Sequence, residues 1–273
     1  MSAPLHRALL IAASLLIPAT LSQAAVILES ELTDARSSIA GASYEGIIRL
    51  RNTGTEQSEV KLYQTDYGFE ADGSNTYGPP GKVARSNANW IQLDRNQLSL
   101  PPNGVLTVNY RVRVPSGNVS GTYWSMIMVE PIPKASAESS EPLPERTTRV
   151  SQVVRYGLQV VTEIGNPGSS ELAFSNARLL ERDGQRLFAV DAENTGQRWI
   201  RAQYWLELYT ENGNPVGKFD GPKKRIFPGT SVVFETPLGD IRPGKYIALA
   251  VADGGGDDLY GTNVELEIKA PGD

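Results

Sequence analysis

No cysteine- or histidine-based nucleophile–base pair can be assembled from the mature part of this chain. The chain contains no cysteine, and its single histidine is His6, close to the amino terminus. Thiol catalysis, histidine-based triads and most zinc sites are therefore excluded. Carboxylate chemistry remains, but a glycosidase needs two carboxylates opposed across a cleft at a set separation. No spacing among the 31 acidic residues singles out such a pair. The inventory points to a non-enzymatic protein with no cofactor.

Residue types that bind are better supplied. The acidic run Asp253–Asp258 could present carboxylates and carbonyls to calcium, but it lacks the ligand spacing and terminal bidentate acid of an EF-hand. Its three consecutive glycines equally describe a turn between two strands, with no metal. Trp90, Trp124, Trp199 and Trp205 could offer stacking surfaces, although Trp124 and Trp205 sit in strand-like segments that suit a core. Tyr67 and Tyr77, on the loop that follows the third strand-like segment, are the better candidates for exposed contacts. Lys223-Lys224-Arg225 reads as solvated loop charge.

The segment with the most pronounced pattern is TTRVSQVVRYGLQVVTEI, ending at Ile164. Val150, Val154, Tyr156, Leu158 and Val160 share one face, and Arg149, Arg155 and Gln159 share the other. That alternation describes a half-buried strand, longer than the usual ~5–6 residues. Before it lies Lys134–Arg146, built from Ser, Glu, Pro and Ala, which cannot bury enough surface to offset the entropy of ordering. A strand edge approached by a mobile loop can add to another protein's sheet, with backbone bonds giving affinity and alternate side chains filling pockets. The same pattern also describes an ordinary strand that completes its own sheet.

The elements that must position these residues are almost all strands. Short alternating segments recur between Gly, Pro, Asn and Asp, and helical periodicity is close to absent. A local plan occurs twice: Asn-Thr-Gly at Asn52–Gly54 and again at Asn194–Gly196, each between alternating segments. Each copy is followed by a Pro/Gly turn and then by Gly-x-Tyr entering an apolar strand. Repetition in this order predicts an all-β chain of two immunoglobulin-like sandwiches in tandem. The first copy alone carries an insertion, Gly68–Asn87, expected as a long loop or extra hairpin.

Residues 1–24 read as a cleaved signal peptide: a basic start, an apolar run, Pro18, then Ser22-Gln23-Ala24. The first domain is expected over 25–165 and the second over 166–273, divided at Gly165-Asn166-Pro167-Gly168. The apolar run is shorter than the roughly 20 residues that span a bilayer, so no stable membrane anchor is expected. Export is expected to place the mature chain in the periplasm. Removing Arg7 with the leader leaves 25 bases against 31 acids, which disfavours nucleic acid as a partner.

A signal peptide, two immunoglobulin-like domains, a mobile loop and a long alternating last strand resemble the periplasmic chaperones of the chaperone–usher pilus pathway. Within Trp90–Pro133, Leu100–Pro102 and Gly121-Thr122-Tyr123-Trp124 match that family's first domain in order. The same stretch is similar to the binding domain of Gram-positive WxL-interacting proteins. The resemblance to pilus chaperones implies donor-strand complementation of a fimbrial subunit or another secreted protein, delivered to an outer-membrane usher. It also implies two cleft basic residues gripping the client's terminal carboxylate, for which Arg155 and Arg36 are the available counterparts. The family's first-strand base is replaced here by Leu28–Leu32, LESEL. The expected function is that of a chaperone-like assembly factor. The alternative is a surface or cell-wall carbohydrate- or peptidoglycan-binding module using Tyr67 and Tyr77.

Overall fold

The computed structural model describes residues 26–133, 153–165 and 168–269. The leader, the loop 134–146 and Val150 lie outside the described residues. The first half contributes β1 (Val26–Leu28), β2 (Thr33–Ser38), β3 (Ser43–Asn52), β4 (Ser58–Phe69), β5 (Asn75–Gly78), β6 (Ile91–Leu93), β7 (Gln97–Leu100), β8 (Val105–Arg113), β9 (Gly121–Ile132) and β10 (Tyr156–Ile164). The second half contributes β11 (Leu172–Arg182), β12 (Gln185–Asn194), β13 (Ile200–Thr210), β14 (Pro215–Ile226), β15 (Ser231–Pro237), β16 (Gly244–Gly255) and β17 (Asp258–Ile268). Among the described residues no helix is long and apolar enough to cross a membrane.

Alternation dictates the layering. In the first half the sheet β1-β3-β8-β6 faces the sheet β2-β10-β9-β4-β5, with β7 added beside β4. Their inward residues, among them Ile48, Leu50, Leu62, Val108, Ile127, Leu158 and Val160, form one core. In the second half β11-β12-β15 faces β14-β13-β16-β17 around Phe188, Tyr204, Leu206 and Phe234. The chain is therefore two immunoglobulin-like β-sandwiches, as the repeated plan predicts. The opening segment divides between sheets, because β1 pairs antiparallel with β3 whereas β2 runs parallel to β10.

The two Asn-Thr-Gly copies do the same structural work. Asn52 and Asn194 are fully buried, each at the end of a strand. The Asn52 amide donates to the carbonyls of Glu56, Leu100 and Pro101, and its oxygen accepts the Gly54 N–H. The Asn194 amide donates to the carbonyls of Arg198 and Ile226, and its oxygen accepts the Gly196 N–H. Each side chain thus closes its own turn and ties it to a second turn distant in sequence.

The halves meet through aromatic rings. Phe227, fully buried, lies 4.9 Å from Trp124 and 5.7 Å from Trp199, nearly parallel to both. Val161 and Phe69 complete this small core. Backbone joins it as well: Thr122 N–H donates to the Gln197 carbonyl at 2.9 Å, and Trp199 N–H to Thr122 Oγ1 at 3.0 Å. Only glycine fits at Gly121, where φ is +80° and a Cβ would stand 2.4 Å from that same carbonyl.

Two expectations follow. Asn52→Ala and Asn194→Ala should each destabilise by about 2–3 kcal/mol, because buried carbonyls lose their donor; chemical denaturation of each variant measures this. Phe227→Ala should cost about 3–5 kcal/mol by leaving a cavity between two indoles, and small-angle scattering should register a broader range of inter-sandwich angles.

Candidate functional site

The long strand begins later than its alternation suggests. Regular pairing starts at Tyr156, and Val153, Val154 and Arg155 are exposed and outside any ladder. From Tyr156 to Ile164 β10 pairs with β9, but on its other side β2 joins only from Gln159 onward. The Gln159 N–H donates to the Leu32 carbonyl at 2.9 Å, so Gln159 faces β2. Consecutive residues turn their polar groups to opposite edges, so the N–H and C=O of Gly157 point the same way with no strand among the described residues to meet them. Among the described residues, the stretch from Tyr156 to Leu158 therefore has one open edge, presented by the backbone of Gly157.

The side chains require a correction. Leu158 and Val160, expected among the donated residues, are fully buried in the core of their own sandwich. Withdrawing both would cost about 3–6 kcal/mol of apolar burial, so they are not available to a partner. Tyr156 packs partly against the same core, and Val154 is 38% exposed. Beside the open edge runs a shallow groove of about 350 Å3, walled by Ile47 and Leu158 and by the ion pairs Arg36–Asp34 and Arg49–Glu29. Ile47 is 58% exposed, and Leu32, at the β1–β2 switch, 60%.

Arg155 and Arg36 are not brought together, which corrects the paired grip. Arg36 stands opposite Thr162, seven residues along from Arg155, or about 20 Å of extended chain. Arg155 lies 3.8 Å from Glu130, and Arg36 donates to Asp34 at 2.6 Å. The cation at the foot of the open edge is Arg225, from the second sandwich. Its guanidinium donates to Thr33 Oγ1 at 2.7 Å and Gln159 Oε1 at 3.1 Å, and stands over the Trp199 ring. Desolvation and then the charge of Arg201 push its pKa down. The run Lys223-Lys224-Arg225 belongs to β14, not a loop. The missing clue is that Arg225 precedes Ile226 and Phe227, both buried, which anchors it beside the junction.

Tyr67 and Tyr77 are directly paired across the β4–β5 hairpin, with ring centroids 5.2 Å apart. The inserted segment is thus the extra hairpin followed by a strap, and the strap is held by Asp66. This buried carboxylate accepts the N–H groups of Gly81, Lys82 and Val83 and the hydroxyl of Ser86. Gly81 is required there, since φ is +75° and a Cβ would strike the Asn89 side chain. Trp205 is not a core residue: it lies on the outer face of β13, donates to Glu207 and carries Lys218 over its ring. The Asp253–Asp258 run forms the β16–β17 turn, where Asp253 accepts the Gly255 N–H and Asp258 pairs with Arg198. Among the described residues, no group of three or more acids or histidines is placed to hold a metal.

Burial pushes the Asp66 pKa up, but the bonds from Ser86, Val83, Gly81 and Lys82 outweigh it and leave the carboxyl below its ordinary value. A depressed carboxylate contributes stability that is complete above the unfolded pKa of about 3.9 and is lost as pH falls through the lower folded value. Asp66→Asn should therefore destabilise the chain at neutral pH and flatten its loss of stability below about pH 4; denaturation midpoints from pH 2 to 7 measure this.

No family profile matches this chain, and no curated protein matches it in sequence. Solved structures do. The class 5 fimbriae chaperone CfaA is similar at 12% identity over 90% of this chain and 100% of that one, with a TM-score of 0.45. The YadV chaperone is similar at 11% identity over 89% and 100%, with a TM-score of 0.44. The CsuC–CsuE chaperone–tip subunit complex from Acinetobacter baumannii is similar at 14% identity over 88% and 98%, with a TM-score of 0.42.

Proposed function

We propose that this chain is a non-enzymatic, exported chaperone-like protein that binds a surface-protein subunit by accepting one of its strands beside β10. It would act in the periplasm after loss of residues 1–24, with domains over 25–165 and 166–273. The observation that carries this reading is the open edge at Tyr156–Leu158, where among the described residues β10 lacks a partner on its β2 side until Gln159. A central sheet position with unmet backbone groups is a template for strand addition.

The surroundings suit an extended polypeptide. Ile47 and Leu32 offer exposed apolar contacts, and Val154 and Tyr156 continue the same face of the chain toward its amino-terminal side. An added strand that runs toward Gln159 ends where β2 begins, and Arg225 stands at that point. A terminal carboxylate there would meet a half-buried guanidinium with no carboxylate partner among the described residues, a contact stronger than a neutral hydrogen bond. Arg225 thereby takes the anchoring role expected of Arg155 and Arg36. The client is a fimbrial or other secreted subunit whose own sandwich lacks a strand; an outer-membrane usher would receive the complex.

The test is co-expression with such a subunit and measurement of its soluble recovery. Gly157→Pro removes an edge N–H, Val154→Asp places charge beside the edge, and Arg225→Gln removes the anchor. Each should lower recovery at least about tenfold, the effect of losing ~1.4 kcal/mol, while the circular dichroism of the chain alone stays unchanged. Undiminished recovery with the folded Gly157→Pro variant would sink strand addition. Loss of recovery only with Arg225→Gln would indicate carboxylate capture without an added strand.

A further inference from the structure

On the other flank of the aromatic junction lies a second cavity, of about 550 Å3. That volume falls within the range of small-ligand sites. Its walls come from both sandwiches: Tyr67 and Tyr77 of the hairpin, Lys82 and Arg85 of the strap, and Pro228 and Gly229 of the turn after Phe227. Two carboxylates also line it, each holding hydrogen bonds. Asp66 is consumed by the strap, and Glu70 accepts the Ser231 hydroxyl. Arg85 is half-buried, its Nη1 shared between the carbonyls of Ser120 and Thr122 and its plane set against Tyr123. Neither Arg85 nor Lys82 has a carboxylate partner among the described residues. A half-buried guanidinium and an exposed ammonium on one wall can receive an anion.

The chemistry of the remaining groups narrows its class. Much of the backbone around the cavity is already bonded: β4 pairs with β5, the strap N–H groups go to Asp66, and Trp124 Nε1 takes the Tyr67 carbonyl. What is left is two tilted tyrosine rings, Tyr77 58% exposed, with two cations beside them. Flat C–H faces stack on such rings, and a carboxylate suits the cations. We infer that this cavity binds a carboxylate-bearing sugar ring of a surface polysaccharide or cell-wall glycan, with Arg85 and Lys82 on the carboxylate and Tyr77 against the ring. It is separate from the β10 edge and uses none of its residues.

Isothermal titration of the full mature chain with tri-galacturonate, with a fragment containing N-acetylmuramic acid, and with neutral maltotriose tests this. Saturable binding of either acidic sugar is expected, stronger than that of maltotriose and weakened by salt. Lys82→Gln and Tyr77→Ala, both at exposed positions, should each weaken it at least about tenfold. Preference for one acidic sugar identifies the source, uronate polymer or cell wall. No saturable binding of either, affinity unchanged in both variants, or tighter binding of an acidic peptide than of both sugars would overturn the assignment.

Discussion

One ring holds this architecture together. Phe227 lies between Trp124 of the first sandwich and Trp199 of the second, nearly parallel to both. Aromatic pairs at these separations add to simple burial, and the backbone bond from Thr122 to Gln197 fixes the approach. The hydrogen bonds from Trp199 to Thr122 and Glu163 gather around that contact. Arg225, two residues before Phe227, is delivered to Thr33 and Gln159 on one flank. Pro228 and Gly229, directly after it, wall the cavity beside Arg85 on the other. A single buried side chain therefore positions two separate cationic sites.

Each sandwich has its own internal lock. Asn52 and Asn194 use one amide to join turns that lie far apart in sequence, through carbonyls that would otherwise be buried without donors. A chain without disulfides has to obtain such cross-links from hydrogen bonds and cores. The duplicated Asn-Thr-Gly is the visible sign of this device, which also explains why the motif recurs in both sandwiches.

The sequence made the architecture legible because alternation and turn residues report directly on strands. It failed where a strand has no apolar face. β2, TDARSS, offers no alternation, yet it determines how much of β10 is covered. Most of β14 was missed because Gly, Pro and charge interrupt it. Period-two spacing correctly grouped Leu158 with Val160, but it cannot say whether a shared face meets the chain's own core or a partner. Asp66 left no signature at all, since three of its four partners are backbone N–H groups. Arg225 was hidden for a related reason: a basic triplet looks the same whether it lies in a loop or at a buried junction.

The division of the opening segment between two sheets has a consequence for size. Because the Leu32 carbonyl takes the Gln159 N–H, the point where the chain crosses from β1 to β2 acts as a ruler for the length of the open edge. Strand register can change only in steps of two residues if inward and outward faces are to be kept. Moving the crossing by one such step would lengthen or shorten the edge by about 7 Å. Related chains could thus be matched to longer or shorter strands by insertions at the Leu28–Thr33 crossing, without repacking either core.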